Sequence, residues 1–168
     1  MTIIVCPLHL LAEQVALQRP ARVVSLLSPD ALFPETPAEV TRLKLELHDI
    51  PEARDGLTPP NRAMVAALLE FGTAWREPGP MIVHCWAGIS RSTAAALILA
   101  CALDPARDER AAADALRAAS PTASPNPLMI ALADDLLGRQ GRLIRAAAAI
   151  GPGEMAMCGE PFRIRARG

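Results

Sequence analysis

Hydrophobic and polar positions divide the chain into short apolar runs separated by proline- and glycine-bearing turns. Ile3-Ile4-Val5-Cys6, closed by Pro7, predicts a buried strand. Leu8 to Gln18 reads as a helix, and Arg22 to Leu27 as a second strand that ends at Ser28-Pro29-Asp30. Residues 28–40 hold Pro29, Pro34 and Pro37 and read as a loop. Leu43-Lys44-Leu45-Glu46-Leu47 alternates with its leucines on one face, which predicts a third strand. A polar loop follows from His48 to Pro60.

The second half is more helical. A helix is expected to start near Thr58, with Pro59 in its first turn. Met64, Leu68, Phe71 and Trp75 recur at helical spacing as one core-facing stripe. Met81-Ile82-Val83-His84 predicts a short strand, and Ser92 to Leu103 is apolar all round, as a buried helix is. Asp104-Pro105 and Asn126-Pro127 each read as an N-cap followed by the first helical residue. The first pair predicts a helix to about Ala119 and the second a helix through Leu137. A further helix is expected to end at Ile150, and Phe162-Arg163-Ile164 reads as a docked strand. This order predicts one α/β domain over residues 1–168, with a mostly parallel central sheet of four to five strands flanked by helices.

Composition narrows the class. The chain has 168 residues, of which 51% are hydrophobic, so a core can form without disulfide staples. The net charge of -1 gives no basic surface of the kind that attracts nucleic acid. The longest apolar run is about half a membrane span, and the N-terminus lacks the pattern of a signal peptide. A soluble cytoplasmic protein without nucleic-acid or membrane partners is expected. The four cysteines, Cys6, Cys85, Cys101 and Cys158, show no metal-site spacing. Oligomeric state is left open by the sequence.

The chemistry concentrates in His84-Cys85-Trp86-Ala87-Gly88-Ile89-Ser90-Arg91-Ser92. This segment joins a buried strand to a buried helix. Such a loop can turn its amides inward, and the helix adds free N–H groups and the positive end of its dipole. Together they form an anion cradle over residues 86–91. Gly88 permits backbone angles that a side chain forbids. A cysteine at the cradle's mouth is expected to have a depressed pKa. Arg91 can present paired hydrogen bonds to phosphate oxygens.

Cys85 and Arg91 with five residues between them, preceded by His84 and followed by Ser92, resemble the signature loop of protein tyrosine and dual-specificity phosphatases. The resemblance implies that fold and a phosphocysteine mechanism that needs no metal and no cofactor. Cys85 would attack phosphorus, while Arg91 and the amides of Trp86, Ala87, Gly88, Ile89 and Ser90 would bind the phosphoryl group. Ser92 would hydrogen-bond the sulfur as it leaves, and His84 would order the loop. It also implies an aspartate that protonates the leaving oxygen and then activates water. Asp49 is the choice among Asp49, Glu52 and Asp55, because it closely follows a strand end. The chain lacks Tyr and the Trp-Pro-Asp acid-loop sequence, so the nearest resemblance is to the small atypical dual-specificity type. The implied substrate is a phosphorylated protein or a small phosphomonoester. A rhodanese-type sulfurtransferase, a phytase-like enzyme and a non-catalytic phosphate-binding module are the alternatives. Cys6, at a strand end, is a candidate for a protective disulfide with Cys85.

Overall fold

The computed structural model describes residues 1–167. Five strands form one sheet: β1 (Thr2–Pro7), β2 (Arg22–Leu27), β3 (Thr41–Glu46), β4 (Met81–Cys85) and β5 (Phe162–Arg165). Their spatial order is β3-β2-β4-β1-β5. The first four run parallel, and β5 adds an antiparallel edge against β1. Six helices accompany the sheet: α1 (Leu11–Gln18), α2 (Arg62–Thr73), α3 (Arg91–Leu103), α4 (Glu109–Ala119), α5 (Pro127–Leu136) and α6 (Arg142–Ala149). The mostly parallel α/β architecture read from the sequence is therefore the observed one.

The pleat sorts the strand side chains between two unequal cores. Ile3, Val5, Val24, Leu26, Met81, Val83 and Cys85 enter the larger core with α2 to α6. Ile4, Cys6, Val23 and Ile82 enter a smaller one beneath α1. Both faces of the central strands are buried, so these strands read as unbroken apolar runs. Full burial of a Leu or Ile contributes about 1.5–3 kcal/mol, and α3 is buried along nearly its whole length. That explains an apolar helix with no polar face.

Several boundaries differ from the sequence reading. The first turn after β1, Leu8–Leu10, is 3-10 rather than α. Helix α2 begins at Arg62, not near Thr58, because Asn61 is the cap and accepts from the Met64 amide at 3.0 Å. Its fully buried face is Val65, Leu68 and Gly72, while Met64 and Phe71 are half-buried. Trp75 is buried but lies beyond the helix end, with Nε1 donating to Glu77 O. Helix α4 is capped by Asp108, whose carboxylate accepts from Ala111 N at 2.8 Å, and not by Asp104. Residues 104–107 form a turn instead, with Arg107 N donating to Asp104 O. The Asn126-Pro127 start of α5 is observed as expected.

Candidate active site

The loop from Trp86 to Ser90 leaves the carboxyl end of β4 and enters α3. Four of its carbonyls are bonded to the surrounding scaffold or into α3. Trp86 O accepts from Leu8 N, Ala87 O from Gly159 N, Ile89 O from Ser124 N, and Ser90 O from Ala94 N. Thr93 Oγ1 also donates to Ile89 O at 2.5 Å and Ser90 O at 2.9 Å. In a trans peptide the N–H points opposite to the C=O, so each bonded carbonyl turns the next residue's N–H the other way. Among the described residues, no amide of residues 87–90 donates to another protein group. Inward amides without partners at a helix N-terminus form an anion site. Gly88 is required twice. Its φ of +72° is left-handed, and a Cβ there would stand 2.8 Å from Pro7 N.

Cys85 is the last residue of β4 and only 1% exposed, so its sulfur forms the floor of the cradle. Ser92 Oγ, in the first turn of α3, lies 3.1 Å from Cys85 Sγ. Arg91 opens α3 and is 5% exposed. Its Nη1 donates to Leu47 O at 2.8 Å, which fixes the guanidinium plane, and its buried Nε has no hydrogen-bond partner.

Asp49 meets this loop from the end of β3. Its Oδ1 accepts from Ser90 Oγ at 2.7 Å and from Asn126 Nδ2 at 2.9 Å, and its Oδ2 lies 3.8 Å from Arg91 Nε. Glu52 and Asp55 are exposed, and Glu52 makes only a long contact with Arg54. Of the three carboxylates in this loop, Asp49 is the one bonded to the cradle. His48 closes the loop's base: its amide donates to Thr58 O, and its Nδ1 accepts from Thr58 N at 2.9 Å.

Two groups were not legible as site residues in the sequence. Asn126 is read there only as a cap, yet it has both functions. Oδ1 caps α5 through Met129 N, while Nδ2 reaches Asp49 and Ile50 O. The tail before β5 also belongs to the site's scaffold. Gly159 packs on Gly88 and Ile89 so closely that a Cβ would stand 3.2 Å from Gly88 O. Trp86 is 63% exposed, so its ring stands at the rim.

His84 points to the sheet face opposite Cys85. It is fully buried, with Nε2 2.7 Å from Ser25 Oγ. Burial lowers its pKa to about 4, helped by the charges of Arg42 and Arg91. Cys6 is its register partner on β1, and so also lies on that opposite face. The candidate Cys6–Cys85 disulfide is therefore not formed: both cysteines are free, and the pleat directs them to opposite faces of the sheet. Burial, and then the proximity of Cys85, push the Cys6 thiol up to about 12. Among the described residues, no three His, Cys, Asp or Glu side chains converge as metal ligands do. No helix there is long and apolar enough to cross a membrane.

No family model matches the sequence, and no curated protein is similar enough to match it. The fold does match solved structures. Human DUSP28 is 20% identical with a TM-score of 0.61, over 82% of this chain and 92% of that one. The Yvh1 phosphatase domain from Chaetomium thermophilum is 18% identical with a TM-score of 0.63, over 84% and 93%. PTPMT1 in complex with PI(5)P is 15% identical with a TM-score of 0.61, over 82% and 90%. The chain thus has the fold of the dual-specificity phosphatases.

Proposed function

We propose that this protein hydrolyses phosphomonoesters through a phosphocysteine on Cys85. The observation that carries the reading is the cradle itself: unpartnered inward amides, a cysteine at their floor and a buried arginine at their edge. The phosphatase names of the structural neighbours support it.

In the first step Cys85 Sγ, as thiolate, forms a bond to phosphorus while the P–O bond to the leaving group breaks. Asp49 gives its proton to that oxygen. The loop amides and Arg91 hold the three equatorial oxygens, where charge develops. In the second step Asp49 takes a proton from water, whose oxygen attacks phosphorus. The S–P bond breaks, and Ser92 Oγ–H, 3.1 Å from the sulfur, stabilises the departing thiolate. A sulfurtransferase or a passive phosphate binder would have no use for a carboxylate tethered by Ser90 and Asn126.

The test is release of phosphate from nitrophenyl phosphate, with vanadate as competitor, beside thiosulfate-to-cyanide transfer. Hydrolysis is the expected activity; sulfur transfer without hydrolysis would overturn the reading. Asp49→Asn should distinguish the acid's role. It is expected to slow an alkyl phosphate by at least about a hundredfold and nitrophenyl phosphate much less, since a good leaving oxygen needs little protonation. Asn126→Ala should act in the same direction with a smaller effect. Equal loss on both substrates would remove Asp49 from the acid's role.

Charge around the cradle bears on the substrate. The segments that frame it, residues 48–58, 86–91, 120–126 and 151–161, contain only two arginines, Arg91 and Arg54, and no lysine. Arg54 already faces Glu52, and Asp55, Glu154 and Glu160 add negative charge. A substrate with one phosphate on an uncharged group fits this rim better than a polyphosphate. A second phosphate on the same ring is expected to lower kcat/KM by about tenfold or more, because like charges repel. The penalty should shrink at high salt. Faster turnover of the bisphosphate would show that another cationic segment reaches the site.

A further inference from the structure

Behind the cradle, on the opposite face of the sheet, three polar side chains from three strands meet among apolar neighbours. Ser25 Oγ on β2 accepts from Arg42 Nε at 3.0 Å and from Arg42 Nη2 at 2.8 Å. The same oxygen lies 2.7 Å from His84 Nε2 on β4. Ser25 and His84 are both fully buried. Arg42 is held in turn by Pro34 O and by the face of Phe33, whose centroid is 5.8 Å from its Cζ.

The bonding capacity of a hydroxyl decides the proton positions. It has two acceptor sites and one proton. Arginine offers only donors, so its two N–H groups occupy both acceptor sites. The remaining contact, to His84 Nε2, must use the serine's own proton. Nε2 is therefore an acceptor, and in the neutral ring the proton sits on Nδ1. Nδ1 lies against the Cys85 main chain at the start of the loop, without a well-aligned acceptor.

We infer that Ser25 and Arg42 are positioning residues: Arg42 fixes the Ser25 hydroxyl, and Ser25 locks His84 in the Nδ1–H form beneath the Cys85 backbone. The groups facing His84 are Ser25 and Arg42 from β2 and β3, Cys6 from β1, and Cys85 and Arg91 from β4 and α3. Protonation at Nε2 would set a third donor against an oxygen whose two acceptor sites are already filled, between two arginines. The lock therefore holds the ring neutral as well as oriented. Its effect on turnover rests on the phosphatase reading, whereas the tautomer rests on the hydrogen bonds alone.

Nitrogen-15 NMR of histidine-labelled protein tests the two parts separately. Near neutral pH, His84 should show a protonated Nδ1 and an unprotonated Nε2. His48, whose Nδ1 accepts from Thr58, should show the reverse. Arg42→Met frees the acceptor sites of Ser25, so the His84 nitrogens should move toward a two-tautomer average. The turnover of nitrophenyl phosphate should fall about tenfold in that variant. Lys44→Met is the control. Lys44 also lies over the Phe33 ring, on the same strand and in register with Ser25, but its side chain makes no bond to the Ser25 hydroxyl. It should change neither the spectrum nor the rate. Ser25→Thr, which keeps the hydroxyl, should retain the wild-type tautomer, and Ser25→Ala should not. A protonated Nε2 in the wild-type spectrum would overturn the inference whatever the variants do. So would an Arg42→Met protein that matches Lys44→Met in both measurements. Absence of hydrolysis by the wild type would defeat the phosphatase reading and leave the spectrum to judge the lock.

Discussion

Cys85→Ser is expected to abolish turnover, by about four orders of magnitude or more, the scale seen when a nucleophile that works as a unit with its partners is removed. The geometry explains why one atom should matter so much. A hydroxyl at the floor of the cradle must lose its proton before it can attack. A base would have to stand beside it. His84 is adjacent in sequence but lies across the sheet, and its Nε2 is engaged by Ser25. Asp49 is the remaining candidate, and in the mechanism its proton belongs to the leaving oxygen. Ser92 is a hydroxyl and offers no base. The serine variant would therefore retain a complete anion site without a competent nucleophile. Calorimetry should find inorganic phosphate bound within about threefold of the wild-type affinity, since the amides and Arg91 are untouched. Initial rates on nitrophenyl phosphate should fall to background. Residual turnover above about one percent of wild type would mean that another group attacks phosphorus.

The parts of this site that were legible in the sequence are those built from consecutive residues. A cradle of backbone amides needs a strand, a glycine-bearing turn and a helix start, and these occur in one unbroken segment from Met81 to Leu103. The apolar runs of β1, β2 and β4 and the all-apolar α3 were equally plain, because both faces of the sheet are covered. What escaped was carried by single side chains whose partners are distant in the chain. Ser25 sits in an apolar strand and looks incidental; its contact with His84 spans 59 positions. Asn126 presents a cap locally, and nothing in the neighbouring sequence reveals that its amide nitrogen reaches Asp49, 77 residues away. The disulfide option for Cys6 depended on strand parity. That parity is fixed only by the register in which Cys6 pairs with His84 and Pro7 with Cys85. Helix starts failed for a related reason. Asp104-Pro105 and Thr58-Pro59 carry starting signals, but Asp108 and Asn61 lie a few residues later and make the bonds.

Arg91→Lys should cost at least about a hundredfold in kcat although the charge is kept, a loss comparable to removing one transition-state donor. The guanidinium at this position works in two directions. Nη1 is spent on Leu47 O at 2.8 Å, which ties α3 to the end of β3. Nε, buried and without a hydrogen-bond partner, is the nitrogen that the proposed mechanism gives to the phosphoryl oxygens. Planarity lets one residue do both, because anchoring one nitrogen aims the others. A lysine ammonium is a single point. If it stays on Leu47 O it is withdrawn from the phosphate, and if it reaches the phosphate the anchor is lost. Asp49 Oδ2, 3.8 Å from Nε, offers the ammonium a third and competing position. Drawing the ammonium there would engage the carboxyl group that the proposed mechanism uses to protonate the leaving oxygen. The rate should therefore fall more than substrate affinity, since both defects bear on the transition state. Steady-state rates beside calorimetric affinities for inorganic phosphate separate the two quantities, and near-ultraviolet circular dichroism confirms that the variant remains folded. A folded lysine variant with kcat within about threefold of wild type would show that charge alone suffices and that the planar fork has no role.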